Sequence, residues 1–223
     1  MNLIEQFFDT RCVGCATWGV VACDTCIRRF TGTPHRATTS RGVPLVALGH
    51  YRGGLRSLIL AAKHRGAHAA IRRLGGSLRD AAMPWGNAVA VPVPSSRPGY
   101  LARGYGLGTV IAQATELRVA NCLRMDDRGT QRGRHRTERR QRTIHIGSGR
   151  PAVGTRVVIV DDVMTTGASI DAATDACVTA GLRVVGVLVV AIAEPQGATR
   201  HTAQGLVSPV EILRGSPNRF TVE

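Results

Sequence analysis

Residues 157 to 170, Val-Val-Ile-Val-Asp-Asp-Val-Met-Thr-Thr-Gly-Ala-Ser-Ile, restrict the architecture more than any other stretch of the chain. Val157, Val158, Ile159 and Val160 are β-branched and uninterrupted, which suits a strand covered on both faces, and strands of that kind belong to parallel sheets. Asp161 and Asp162 then stand at its carboxyl end, the edge of an open α/β sheet where ligands bind. Thr165, Thr166, Gly167, Ala168 and Ser169 follow as a small hydroxyl-rich turn, and Ile170, Ala173 and Cys177 continue at helical spacing. A helix start of this composition is an anion seat. Its first N–H groups lack intrahelical partners, glycine lets the main chain approach closely, and the dipole favours negative charge.

Four apolar residues, two acids and a Thr-Thr-Gly turn in that order resemble the phosphoribosyl-pyrophosphate (PRPP) signature of type I phosphoribosyltransferases. The resemblance implies that Asp161 and Asp162 hold the ribose 2′ and 3′ hydroxyls, directly or through Mg²⁺, as the catalytic pair. It also implies that Thr165, Thr166, Gly167, Ala168 and Ser169 hold the 5′-phosphate. The alternative is a buried strand that ends in a polar turn.

Four of the six cysteines are crowded near the start, as Cys12-Val-Gly-Cys15 and, seven residues later, Cys23-Asp-Thr-Cys26. Two CxxC knuckles this close are able to wrap four thiolates around one Zn²⁺ in a closed tetrahedron, which makes a structural rather than a catalytic site. Two disulfides and a redox CxxC are the competing readings. The absence of a secretory start argues against the first, and the second copy of the motif argues against the other. Cys122 and Cys177 sit in apolar surroundings and read as small core residues.

Residues 28 to 42 are polar, rich in turn formers and aperiodic, which predicts a linker. Val46 to Tyr51 reads as a short strand. Leu55, Leu58, Ile59 and Ala62 mark one face of a helix closed by Lys63 and His64; Ile71, Leu74, Leu78 and Ala81 mark another that ends before Pro84. Ala88 to Pro94 predicts a strand ended by Pro92 and Pro94, followed by a stiff loop over residues 95 to 105 that carries Arg97 and Arg103. Guanidinium forks on such a loop match phosphate oxygens. Leu107, Val110, Ile111, Ala114 and Leu117 form a helical stripe. Thr143 to Ile146 reads as a strand leading to the acidic motif, and Leu182 to Ile192, interrupted by Gly186, as the strand after its helix. Alternation of this kind implies a parallel sheet with helical crossovers.

Tyr51-Arg-Gly-Gly-Leu-Arg56, Lys63, Pro92-Val-Pro94 and Arg103-Gly104-Tyr105 occur in the order seen in ComF-type proteins, which the chain resembles from Cys12 to about Ala193. That family joins a four-cysteine zinc module to a phosphoribosyltransferase domain and includes competence proteins linked to DNA uptake. The resemblance implies an α/β fold: a parallel-sheet, type I phosphoribosyltransferase-like domain with a small N-terminal zinc module. The expected division is a zinc module over 1–35, a linker over 36–45, the main domain over 46–193 and an extension over 194–223. Lys63, Arg97 and Arg103 join the PRPP-binding set, Mg²⁺ accompanies PRPP, and Zn²⁺ is held by Cys12, Cys15, Cys23 and Cys26. The chain departs from the family pattern at His64, at Gly106-Leu107 and at Arg142.

The formal charge of +14 suits a polyanionic small ligand and nucleic acid alike. The basic stretch Arg128 to Arg142 reads as a solvated arm or as a tracker of a DNA backbone, and a non-catalytic DNA-associated factor is the second function considered. No aromatic residue lies between 106 and 219, which argues against a base-stacking platform. No apolar stretch is long enough to span a bilayer, so no membrane partner is expected and the cytoplasm is the expected compartment. The sequence is compatible with an oligomer and does not specify one. It does not name the acceptor of a transfer reaction.

Overall fold

The computed structural model describes residues 11–64, 67–126 and 143–193. In chain order its elements are helix α1 (Asp24–Thr31), strands β1 (His35–Thr38) and β2 (Pro44–His50), and helices α2 (Gly53–His64), α3 (His68–Gly76) and α4 (Arg79–Ala82), the last running into a 3-10 turn at Met83–Trp85. Strand β3 (Val89–Pro92), helices α5 (Arg97–Arg103) and α6 (Leu107–Ala114), and strands β4 (Arg118–Val119), β5 (Leu123–Asp126) and β6 (Thr143–Ile146) follow. Strand β7 (Arg156–Met164), helix α7 (Ala168–Thr179) and strand β8 (Arg183–Ile192) complete the described chain.

Six strands form one sheet in the order β1-β2-β8-β7-β3-β4; only β1 is antiparallel to its neighbour. The apolar run Val157–Val160 lies in β7, between β8 and β3, and each of its residues is fully buried. Alternation sorts the strands onto two cores. Val158, Val160, Leu188 and Ala90 pack with α2, α3 and α6, whereas Val157, Ile159, Val187 and Val91 pack with α7 and the β5–β6 ribbon. Helix α6, reached from β3 through α5, and helix α7 after β7 therefore cover opposite faces, and the chain leaves these adjacent strands in opposite directions. A crevice at the carboxyl ends of β3 and β7 follows from that topology.

Pro92 ends β3 without loss of a ladder bond. Val93 N–H donates to Val160 O at 2.8 Å, so position 92 faces the other edge, beyond the two residues of β4.

Three expectations change. The stretch predicted as a linker over 28 to 42 holds the last turn of α1 and all of β1, which hydrogen-bonds along β2 from His35↔Ala47 to Thr38↔Pro44. Its turn is fastened to α7 by Ser40 Oγ–Asp171 Oδ1 at 2.7 Å and by Arg41–Asp175 at 2.5 Å. The stiff loop after Pro94 contains helix α5, which has Pro98 in its first turn and Gly104 closing it at φ 78°, its N–H bonded to Tyr100 O at 2.7 Å. Thr143–Ile146 does not join the main sheet: it pairs antiparallel with Leu123–Asp126 as a separate ribbon. The arginine-rich stretch Arg128 to Arg142 and the extension expected over 194–223 lie outside the described residues.

The cysteine module packs on α2 and α3. Arg73 of α3 reaches back to accept nothing and donate twice, to Ala22 O at 2.5 Å and to the Asp24 carboxylate. Gly53 (φ 50°) and Gly54 open α2, and a Cβ at Gly54 would overlap the Phe30 ring, so this glycine pair is where α1 docks.

Candidate functional site

The crevice at the ends of β3 and β7 is a cleft of about 360 Å³. Of the residues singled out in the sequence, Lys63, Arg103, Asp161, Asp162, Thr165 and Ser169 line it. Thr166, Gly167 and Ala168 complete the turn between the last two. Gly167 caps α7 in the left-handed region at φ 82°, where a side chain would be strained. Arg97 is exposed at the start of α5 and is not among the cleft-lining residues.

The two acids differ in their surroundings. Asp162 is 8% exposed, and Lys63 Nζ lies 2.5 Å from its Oδ2 without hydrogen-bond geometry; that oxygen is buried and accepts no hydrogen bond. Asp161 is half-buried, and its Oδ1 accepts the Asp162 N–H at 2.8 Å. Desolvation, then the adjacent Asp162 charge, pushes the Asp161 carboxyl well above its ordinary value of 3.8. Arg103 brings a buried Nε that has no hydrogen-bond partner. Two oxygen acceptors, two cations and a helix start thus share one opening, and two of the polar groups are held buried without hydrogen bonds.

Helix α6 frames the opposite wall. A Cβ at Gly108 would come within 3.0 Å of Val93 O and 3.1 Å of Val160 O, so glycine lets α6 begin directly against the strand ends. Leu107 N–H meets Ser95 Oγ at 3.4 Å.

Tyr51, Ser95, Ser96 and Met125 also line the cleft and were not assigned to it from the sequence. Ser95 and Ser96 directly follow the Pro92-Val-Pro94 signal and were within reach of sequence reasoning. Met125 comes from β5, and nothing local in its sequence points to the cleft.

The second candidate site is the cysteine group. The sulfurs of Cys12, Cys15, Cys23 and Cys26 all lie within 4.8 Å of one another; Cys12–Cys23 is 3.7 Å and Cys15–Cys23 is 3.6 Å. A tetrahedron with Zn–S bonds of about 2.3 Å has edges of about 3.8 Å, so the group fits a metal of that size. Backbone N–H groups already point at the sulfurs, Cys23 N at Cys12 Sγ (3.4 Å) and Cys26 N at Cys23 Sγ (3.5 Å). Burial raises the Cys12 thiol, but N–H donors of Cys23, Gly14 and Cys15 outweigh it and bring it down to about 6. Burial and the neighbouring thiols push Cys26 up to about 12.

Fold and sites together define an α/β protein with a mostly parallel sheet, a polar cleft at its switch point and a four-cysteine, metal-capable module. No family model and no curated protein sequence matches the chain. Solved structures that it is similar to are phosphoribosyltransferases. One is adenine phosphoribosyltransferase from Saccharomyces cerevisiae, complexed with an imino-altritol bisphosphate and adenine: 16% identity over 77% of this chain and 90% of that one, TM-score 0.44. Another is adenine phosphoribosyltransferase from Rhodothermus marinus DSM 4252, at 18%, 76%, 88% and 0.40 in the same order. A purine phosphoribosyltransferase from Pyrococcus horikoshii Ot3 gives 18%, 54%, 72% and 0.34. Likeness at this level names no substrate.

Proposed function

We propose that the cleft binds PRPP or a closely related phosphosugar, and that the protein is a phosphoribosyltransferase-like member of the ComF type. The observation that carries this reading is the meeting, in one opening, of Asp161 and Asp162 with the Thr165–Ser169 turn and with Lys63 and Arg103. Carboxylates are acceptors for a ribose diol, the start of α7 suits a 5′-phosphate, and Arg103 suits the pyrophosphate arm, while Lys63 stands beside Asp162. Arg97 is left to the outer surface. The ComF assignment rests on the residues quoted in the sequence analysis and on the cysteine module beside the cleft.

The reaction such a site supports is displacement of pyrophosphate from ribose C1 by a nitrogen nucleophile. Charge develops on the ring and on the leaving group, so the protein's task is to position and neutralise. Asp161 and Asp162 orient the ribose; Arg103 stabilises the departing pyrophosphate. Asp161 is a hard oxygen donor without an ion pair among the described residues, and Mg²⁺ held there beside the pyrophosphate would supply further neutralisation. Cys12, Cys15, Cys23 and Cys26 are assigned to a structural Zn²⁺.

Titration calorimetry with PRPP and Mg²⁺ tests the reading. Binding by the wild type that is lost in the Asp161→Asn, Asp162→Asn double variant is the expected result. No heat and no thermal shift with the wild-type protein reject it.

A further inference from the structure

Asp161 and Asp162 are adjacent in sequence and lie on opposite faces of the sheet. Along β7, Val158 and Val160 pack toward α2 whereas Val157 and Ile159 pack toward α7, so alternation assigns Asp162 to the α2 face and Asp161 to the α7 face. Helix α2 buries Leu58, Ile59 and Ala62 on that same face, and Lys63, the next residue, is carried over the strand end. Its Nζ comes to 2.5 Å from Asp162 Oδ2. Among the described residues Asp161 makes no ion pair, and the Lys63 charge acts on it only as a minor pull against burial and the Asp162 charge.

The residue type matters as much as the distance. Of 29 lysines and arginines, Lys63 is the one lysine, which leaves 28 arginines. In a chain so biased toward arginine, the single compact ammonium stands beside the buried acid. A guanidinium fork would bond both oxygens of a carboxylate in its own plane and cover them, whereas an ammonium is a point charge with three donors and leaves acceptor positions open. Two neighbouring carboxylates repel and cost desolvation, and a cation beside one of them offsets both.

Resting on the phosphosugar reading, we propose that Lys63 is a positioning residue that serves Asp162 as a built-in counter-ion in place of a divalent cation. The ribose-phosphate part of the ligand is therefore held without metal. Metal is needed only for the pyrophosphate arm.

The test uses the full chain and ribose 5-phosphate, which lacks that arm, titrated in EDTA and in Mg²⁺. The wild type binds equally, within about twofold, in both. Lys63→Met, which keeps the aliphatic stem, loses about tenfold in EDTA and recovers most of it in Mg²⁺, a difference of about 1.4 kcal/mol. Lys63→Arg binds more weakly in both conditions but stays metal-independent, because the charge remains. A purely structural lysine would shift affinity and leave the metal dependence alone. Wild-type binding that requires Mg²⁺, or equal metal dependence in the wild type and Lys63→Met, overturns the proposal while the phosphosugar reading stands. Failure of the wild type to bind either ribose 5-phosphate or PRPP in Mg²⁺ overturns that reading and the proposal with it.

Discussion

The Tyr105 hydroxyl donates to the Ala62 carbonyl at 3.2 Å, which ties the segment just after Arg103 to the residue just before Lys63. The two cations of the cleft come from elements far apart in sequence, and this bond is a direct brace between them. The Tyr105 ring also stands edge-on to His68, with centroids 5.0 Å apart. Burial raises the phenol above its ordinary value, against the pull of Arg103, so it remains a neutral donor at physiological pH.

Tyr105→Phe keeps the ring contact and removes the brace. A hydrogen bond of this kind contributes about 1 kcal/mol, so a loss of that order in unfolding free energy is expected. PRPP affinity should fall as well, about threefold to tenfold, because Lys63 and Arg103 lose their common anchor. Denaturant titration and calorimetry measure the two effects. Lower stability with unchanged affinity would make the bond a fold contact only.

Asp161→Asn should stabilise the ligand-free protein while it removes ligand binding. Because the folded-state carboxyl is raised well above 3.8, the native protein binds more protons than the unfolded chain at every pH between the two values. Stability therefore falls as pH rises through that window, and the penalty is fully present above the folded value. The amide carries no such penalty. Thermal melts from mildly acid to neutral pH should show the variant's curve flatter than the wild type's and above it at the neutral end. A wild-type curve that rises with pH, with the variant below it throughout, would contradict the assignment.

Zinc uptake should release protons. With Cys12 at about 6 and Cys26 at about 12, the ligand-free group at neutral pH retains thiol protons that a metal must displace, so apparent affinity rises with pH. Titration in weakly buffered solution with a pH indicator counts them. One metal per chain is expected, and Gly14→Ala should weaken its binding, because a Cβ there would lie 2.7 Å from both Cys26 Sγ and the Phe30 ring.

What could be read from the sequence was whatever carried its own periodicity or a fixed spacing. The run Val157–Val160, the stripe from Leu107 to Ile111 and the knuckles Cys12–Cys15 and Cys23–Cys26 are local signals, and each element or cluster is present. Strand β1 was missed because all four of its residues are exposed, so no apolar alternation marks it. Helix α5 was missed because none of its residues is buried and no stripe forms; only Pro98 and Gly104 signal it. The β5–β6 ribbon pairs Leu123 with Ile146 across a long intervening segment, a relation that no window of sequence contains. Of the cleft, the β7–α7 wall was legible, while Met125 depends on that long-range pairing.

Gly186 gives the last prediction. In the sequence it only interrupts an apolar run, yet on β8 it pairs with Val158 and faces the same core as Leu188 and Val190. Trp85, on the 3-10 turn after α4, lies against it: a Cβ at position 186 would fall 2.5 Å from both Cε2 and Cζ2 of the indole. Trp85 is 6% exposed and rigid, so the ring has to shift as a body and disturb the packing beneath α3 and α4. Gly186→Ala should cost about 1–3 kcal/mol, the usual range for overpacking. The only other tryptophan, Trp18, is 53% exposed, so a loss of blue-shifted emission reports on Trp85. In the Trp85→Leu background the same glycine substitution should cost clearly less, since the ring it strikes is gone, and a double-mutant cycle measures that coupling. Additive effects of the two substitutions would mean that the strand does not need its glycine to seat the indole.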